Sequence, residues 1–110
     1  MRGIEIILEM RGLHGIMRGL DPRAEKILED AARNIEKHAK EKAPVDTGTL
    51  KGSIHVEKDH PPLERTIADG TTYGVFQEFG TSRMGAQPFM TPAVEEERKR
   101  LGKAWEELLK

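Results

Sequence analysis

Asp21-Pro22 and Ala43-Pro44 bracket the segment that most limits what this chain can fold into. Aspartate is a natural helix N-cap. Proline suits the first helical position, where its missing N–H would have no helical partner anyway. Between the prolines, Ala24, Ile27, Leu28, Ala31, Ile35, Ala39 and Ala43 recur at three- and four-residue steps, while Arg23, Glu29, Arg33, Lys37 and Lys40 take the opposite side. That periodicity predicts an amphipathic helix over about 22–43. It ends at Pro44, because the residue before a proline avoids helical angles. Such a helix has one apolar face, and the rest of the chain must cover it.

The candidates for that cover are short. Ile4, Ile6, Ile7 and Leu8 with Glu5 and Glu9 between them read as a strand. The following "RGLHGIMRGL" keeps helical spacing but carries glycines, so a short, weak helix is expected. Its glycines match no phosphate-binding fingerprint. Ile54 and Val56 alternate with His55 and Glu57, predicting a strand. Leu63 to Ala68 is the returning strand of a hairpin across "KDHPPLE", and Asp69-Gly70 is a turn. Tyr73, Phe76 and Phe79 at three-residue steps favour a short helix ending at Gly80. Thr91-Pro92 repeats the cap-and-proline pair and opens a closing helix over about 92–109, with Val94, Leu101, Ala104, Trp105 and Leu108 as its apolar stripe. Glu96 stands four residues before Arg100, a favourable order for an ion pair. The expected fold is a single α+β domain over residues 1–110: two long helices packed on a small antiparallel sheet, with a short N-terminal strand and a weak helix.

Composition narrows the function. Of 110 residues, 34% are charged and only 36% hydrophobic, so the core is thin and association with other chains could add burial. The formal net charge of -1 argues against non-specific binding to nucleic acid or anionic membrane. The chain has no cysteine, which excludes a disulfide framework and thiolate chemistry. No apolar run approaches the ~20 residues that span a bilayer. The start, "MRGIEIILEM", has carboxylates inside its apolar stretch and reads as mature protein rather than a signal peptide.

One tripeptide suggests chemistry. Asp46-Thr47-Gly48 is the motif of aspartic proteases, and a homodimeric protease of the retroviral type, using Asp46, is the enzymatic alternative. That fold is nearly all β, and its motif leaves an apolar strand so that two carboxylates can share a proton. Here the motif follows a long helix and an Ala-Pro break. Asp46 or Thr47 capping a short turn through Leu50 accounts for the same letters. His14, His38, His55 and His60 lack ligand-like spacing, and Glu95-Glu96-Glu97 suits a helix start better than a cation. No catalytic residue, metal or cofactor is expected.

Two stretches, "APVDTGTLKGSI" (43–54) and "YGVFQEFGTSRMGAQPFMTPA" (73–93), resemble a family when taken in order. It is the minor tail-component family of long-tailed double-stranded DNA phages named after gene product ten of phage Hong Kong 97. The family pattern falls on Pro44, Asp46, Thr47, Gly48, Leu50, Ser53 and Ile54, then on Tyr73, Glu78, Phe79, Gly80, Thr81, Gln87, Pro88, Phe89 and Pro92. Gly74 stands where relatives often carry alanine. The resemblance implies a non-enzymatic virion protein of a phage or prophage, acting in tail completion or head–tail joining at the neck. It implies self-association into a ring around the DNA channel, neighbours such as head-closure, tail-terminator or tail-tube subunits, no sequence-specific nucleic-acid binding, no membrane, and assembly in the host cytoplasm. The polar loop from Gly80 to Gln87, with Ser82, Arg83, Met84 and Gly85 at its centre, is the candidate assembly contact.

A capping Asp46 and a catalytic Asp46 differ in what substitution does. Asp46→Asn is expected to keep most of the stability, and Asp46→Ala to lose on the order of 1 kcal/mol in chemical denaturation. Pepstatin-sensitive peptide cleavage, abolished by Asp46→Asn, would contradict the capping role.

Overall fold

A computed structural model describes residues 3–9, 22–43, 52–83 and 85–108. The weak helix expected at 10–20 and the motif residues Pro44, Asp46, Thr47, Gly48 and Leu50 lie outside them. The elements run β1 (Ile4–Glu9), α1 (Pro22–Lys42), β2 (His55–Val56), β3 (Glu64–Asp69), α2 (Thr72–Phe79) and α3 (Met90–Leu108). This is the expected α+β class.

β3 is the central strand, with β1 and β2 antiparallel on either side. Ile4 lies opposite Asp69, Ile6 opposite Ile67 and Leu8 opposite Arg65, while Val56 lies opposite Ile67 from the other edge. Alternate residues share a face. One face therefore carries Ile4, Ile6, Leu8, Val56 and Ile67 toward α1, and the other carries Glu5, Ile7, Glu9, Glu64 and Thr66. At the sheet's end the Gly3 backbone lies so close to the Asp69 carbonyl that any Cβ there would collide with it. Only glycine fits such an approach.

α1 buries Ala24, Leu28, Ala31, Ala32, Ile35 and Ala39, the predicted stripe with Ala32 added and Ile27 only half covered. Its small side chains let neighbouring backbones come close. The Ala43 N–H still donates to the Ala39 carbonyl at 2.9 Å, so the last turn reaches the proline break. α3 runs antiparallel along α1. Lys42 and His38 meet Glu96, Asn34 donates to Glu97 at 3.1 Å, and Leu28 shares a groove with Leu101 and Trp105. Glu96 thus reaches across to Lys42 at 3.0 Å, where the sequence suggested a pair with Arg100. The Lys42 hydrogen bond, opposed by some burial, holds the Glu96 carboxyl below its ordinary pKa.

Two expectations need correction. The closing helix begins at Met90, not Pro92, and its start is capped from another element. Its stripe is also only partly covered: Met90, Ala93 and Glu97 are buried, whereas Val94, Leu101, Ala104, Trp105 and Leu108 are only partly buried. Periodicity shows which way a stripe faces. It does not show whether enough material lies opposite.

The sheet and α1 are joined by a buried cation. Arg65 is 5% exposed and donates to Glu25 at 2.9 Å and to Glu29 at 3.0 Å. The two carboxylates are one helical turn apart, so one guanidinium fork reaches both. The Arg65 hydrogen bond, resisted by burial and reinforced by Arg33, holds Glu29 below its ordinary pKa. Glu25 also accepts from the Leu63 N–H at 3.2 Å, which fixes Leu63 at a φ of 58° with its side chain buried. Non-glycine residues rarely hold that angle without support.

Arg65→Lys keeps the charge and loses the fork. It should lower unfolding stability by about 2–3 kcal/mol, somewhat under the ~3–5 kcal/mol of a fully buried broken pair because Glu29 is partly solvated. A loss under about 0.5 kcal/mol in urea titration would show that the pair is only a surface contact.

Candidate functional site

The second half of the family pattern converges on one polar node between β3, α2 and α3. It starts at Asp69, which is fully buried and accepts three hydrogen bonds. The Ser53 hydroxyl donates at 2.6 Å, the Thr71 N–H at 3.0 Å and the Thr71 hydroxyl at 3.1 Å. Thr71 in turn accepts from the Gly74 N–H at 3.0 Å and so caps α2. Asp69 thus orients a cap rather than a substrate. Gly74 falls in the first turn of α2, where glycine costs less than in a helix interior.

α2 ends as abruptly as it starts. The Gly80 N–H donates to the Phe76 carbonyl at 2.7 Å, and Gly80 takes φ 78° and ψ 177°. That region of backbone space is essentially reserved for glycine. The chain then leaves as the loop 80–88. In it, the Thr81 hydroxyl accepts from the Arg83 N–H at 3.2 Å, a local turn.

The loop returns to the place it left. The Gln87 N–H donates to the Gln77 carbonyl at 2.7 Å. The neighbouring Glu78 carboxylate accepts from the N–H groups of Phe89, Met90 and Thr91 at 3.0, 2.8 and 3.0 Å. A helix start leaves four N–H groups without helical partners and carries a partial positive charge. Glu78 answers both needs from another helix. Burial works against its charge. The Thr91 hydroxyl and the three backbone N–H groups overcome that penalty and hold the carboxyl below its ordinary pKa. An acid kept ionised and occupied in this way is a poor proton donor and a good clamp.

The structure therefore gathers Ser53, Glu78, Gly80, Thr81, Gln87 and Phe89. Phe89 is wholly buried and drops into the main core beside the clamp. Pro88, Ser82, Arg83 and Gly85 are exposed, and Met84 lies outside the described residues. Tyr73 is in the first turn of α2. The sequence reading took Asp69-Gly70 as a turn and missed the roles of Asp69 and Thr71 in capping α2, although an Asp or Thr just before an aromatic-rich helix is itself a capping signal. Phe76 and Phe79 do not join the core. They are 42% and 71% exposed and flank the base of the loop.

Among the described residues no cluster of three or more His, Asp or Glu side chains could hold a metal ion, and no helix is long and apolar enough to cross a membrane. What the fold and this node define is an α+β protein with an exposed loop and two exposed aromatics anchored by buried caps. The family model described as "Bacteriophage HK97-gp10, putative tail-component" matches residues 10–80, and the chain belongs to that family. The match covers Asp69, Glu78 and Gly80 but stops short of the α3 amides that Glu78 holds. No curated protein and no solved structure matches the chain.

The clamp makes a signed pH prediction. The folded pKa of Glu78 is depressed, so its contribution is complete above the unfolded carboxyl value of about 4.3. It is lost as pH falls through the lower folded value. Glu78→Gln should therefore cost about 2–3 kcal/mol at pH 7, beyond the ~1 kcal/mol of an ordinary cap. The gap from wild type should narrow steadily below pH 4. A gap that stays constant down to pH 2 would show that the carboxylate charge is not what holds the helix.

Proposed function

We propose that this tail component is a non-enzymatic structural subunit of the virion neck or tail. In this reading it acts in tail completion or head–tail joining, as one copy in a ring around the DNA channel. The observation that carries the proposal is the anchored loop 80–88. Its base is tied by Gln87 to Gln77 and by Glu78 to α3, while Thr81, Ser82, Arg83, Gly85 and Ala86 stand in solvent. Exposed loops on a rigid base are where binding residues concentrate.

The surrounding sequence supports a protein-facing surface. Between Asp69 and Glu95 only Glu78 and Arg83 are charged, in a chain that is 34% charged overall. Interface centres are depleted of charge in the same way. Glu78 is consumed by the clamp and Asp69 by the α2 cap, which leaves neither carboxylate for acid–base work. The net charge of -1 suits a conduit that does not grip the duplex passing through it. Contacts with head-closure, tail-terminator or tail-tube subunits and assembly in the host cytoplasm follow from the same reading.

Deleting Ser82 to Gly85 should leave the unfolding transition near that of the wild type and yield tailless or unjoined particles by electron microscopy. Normal virion yield from that mutant would exclude the loop as an assembly contact. Tight, saturable binding of the purified chain to duplex DNA at physiological salt would overturn the conduit role itself.

A further inference from the structure

His55 is a titratable group that the caps and the clamp leave unused. It lies on β2, a short edge strand, and its side chain is 49% exposed, so water reaches the ring. Both ring nitrogens face oxygen. Nδ1 stands 2.8 Å from the Ser53 carbonyl, and Nε2 stands 3.0 Å from a Glu57 carboxylate oxygen. A carbonyl and a carboxylate only accept, and a neutral imidazole has one N–H to give. Only the protonated ring satisfies both contacts at once. Ser53 carries the consequence inward. Its carbonyl accepts from the ring while its hydroxyl donates to the buried Asp69 at 2.6 Å. Asp69 holds Thr71, Thr71 caps α2, and α2 carries Gln77 and Glu78, which anchor the loop 80–88. We propose that His55 is a pH-sensitive pin, which when protonated holds the Ser53 peptide beneath Asp69 and steadies the α2 cap, and when neutral releases Ser53 and loosens that cap.

The surroundings decide which contact opens. Among the described residues, the charged groups that face the ring are carboxylates. Glu57 is on its own segment, and Glu5 of β1 lies in the same row across the neutral Ala68 of β3. Glu36 of α1, itself paired with Arg33 and Lys40, adds its charge from the helix side, and Asp69 lies beyond Ser53. A charged acceptor makes the stronger hydrogen bond. The neutral ring therefore keeps its one proton on Nε2 toward Glu57. Nδ1 then turns a lone pair on the Ser53 carbonyl, and that is the contact that fails. The Ser53 carbonyl does most to raise the His55 pKa above its ordinary value; burial opposes it, and Glu57 and Glu36 add to it. The folded ring thus holds its proton to a higher pH than the unfolded one. The contribution of the pin is complete below the unfolded value of about 6.5 and is lost as pH rises through the folded value.

The pin does not depend on the neck role; only its meaning for assembly rests on loop 80–88 being a contact there. The test is therefore made on the isolated full-length chain, labelled with 15N and titrated across neutral pH by NMR. His55 is expected to lose its proton at a higher pH than in the same chain unfolded in urea, and to keep the remaining proton on Nε2. Glu57→Gln should lower that midpoint in the folded chain and leave the urea value unchanged. The amide signals of Thr71 and Gly74, which report the α2 cap, should shift in one step at the His55 midpoint. His55→Gln, a change on a half-exposed edge position, should remove that step. A folded midpoint at or below the urea value overturns the pin, and so does a neutral ring protonated on Nδ1. Thr71 and Gly74 signals that ignore the His55 midpoint, or that keep their step in His55→Gln, overturn it as well. If the step is found while the Ser82–Gly85 deletion leaves virion yield normal, the pin stands and the loop's role in joining falls. If the step is missing while that deletion still blocks joining, the pin falls and the joining role stands.

Discussion

The Glu78 carboxylate on the N–H groups of Phe89, Met90 and Thr91 is the interaction on which the rest of this structure depends. It ties α2 directly to the start of α3. Without it, the start of α3 would carry unpaired donors beside the buried Phe89, and the end of the loop 80–88 would lose a tie to α2. With it, the position of Phe89 is set, and Phe89 leads Met90 and Ala93 into the main core with Ile35, Ile54 and Ile67. That core is rich in alanine, and a thin core of this kind has little surplus. Polar ties such as Arg65 to Glu25 and Glu29, and Asn34 to Glu97, therefore do much of the positioning between elements.

The sequence was most legible where the determinants are local. α1 announced itself through its proline boundaries and apolar stripe, because both signals lie within the helix. The hairpin strands and the short aromatic helix followed from period and turn residues in the same way. Glu78 could not be read for its role, because the amides it holds are eleven to thirteen residues further on. The family pattern marked it as a position of interest and supplied no mechanism. The capping role assigned to Thr91 went to Glu78 for a physical reason: a buried carboxylate offers two charged acceptor oxygens where a hydroxyl offers one neutral one.

Trp105 shows the opposite limit. Its place on the stripe of α3 was clear, and its burial was not. Along α3, Met90 and Ala93 are wholly buried in the main core with the alanines of α1, whereas Trp105 and Leu108 are only partly buried against Ala24, Leu28 and Leu63, and Leu28, Leu101 and Trp105 line the groove. Nothing in a periodic pattern reports that shortfall. The exposed Phe76 and Phe79 carry the same lesson: three-residue spacing groups rings without saying whether this chain or another covers them. Exposed apolar surface of this kind commonly marks a place where another molecule binds.

Amide hydrogen exchange of the native chain at neutral pH, read residue by residue, tests the central claim most directly. If the Glu78 clamp is intact in solution, the N–H groups of Phe89, Met90 and Thr91 exchange slowly, with protection close to that of the α1 interior. These positions would be open at an uncapped helix start. Exchange at these three amides as fast as in an unstructured peptide, with α1 still protected, would contradict the account.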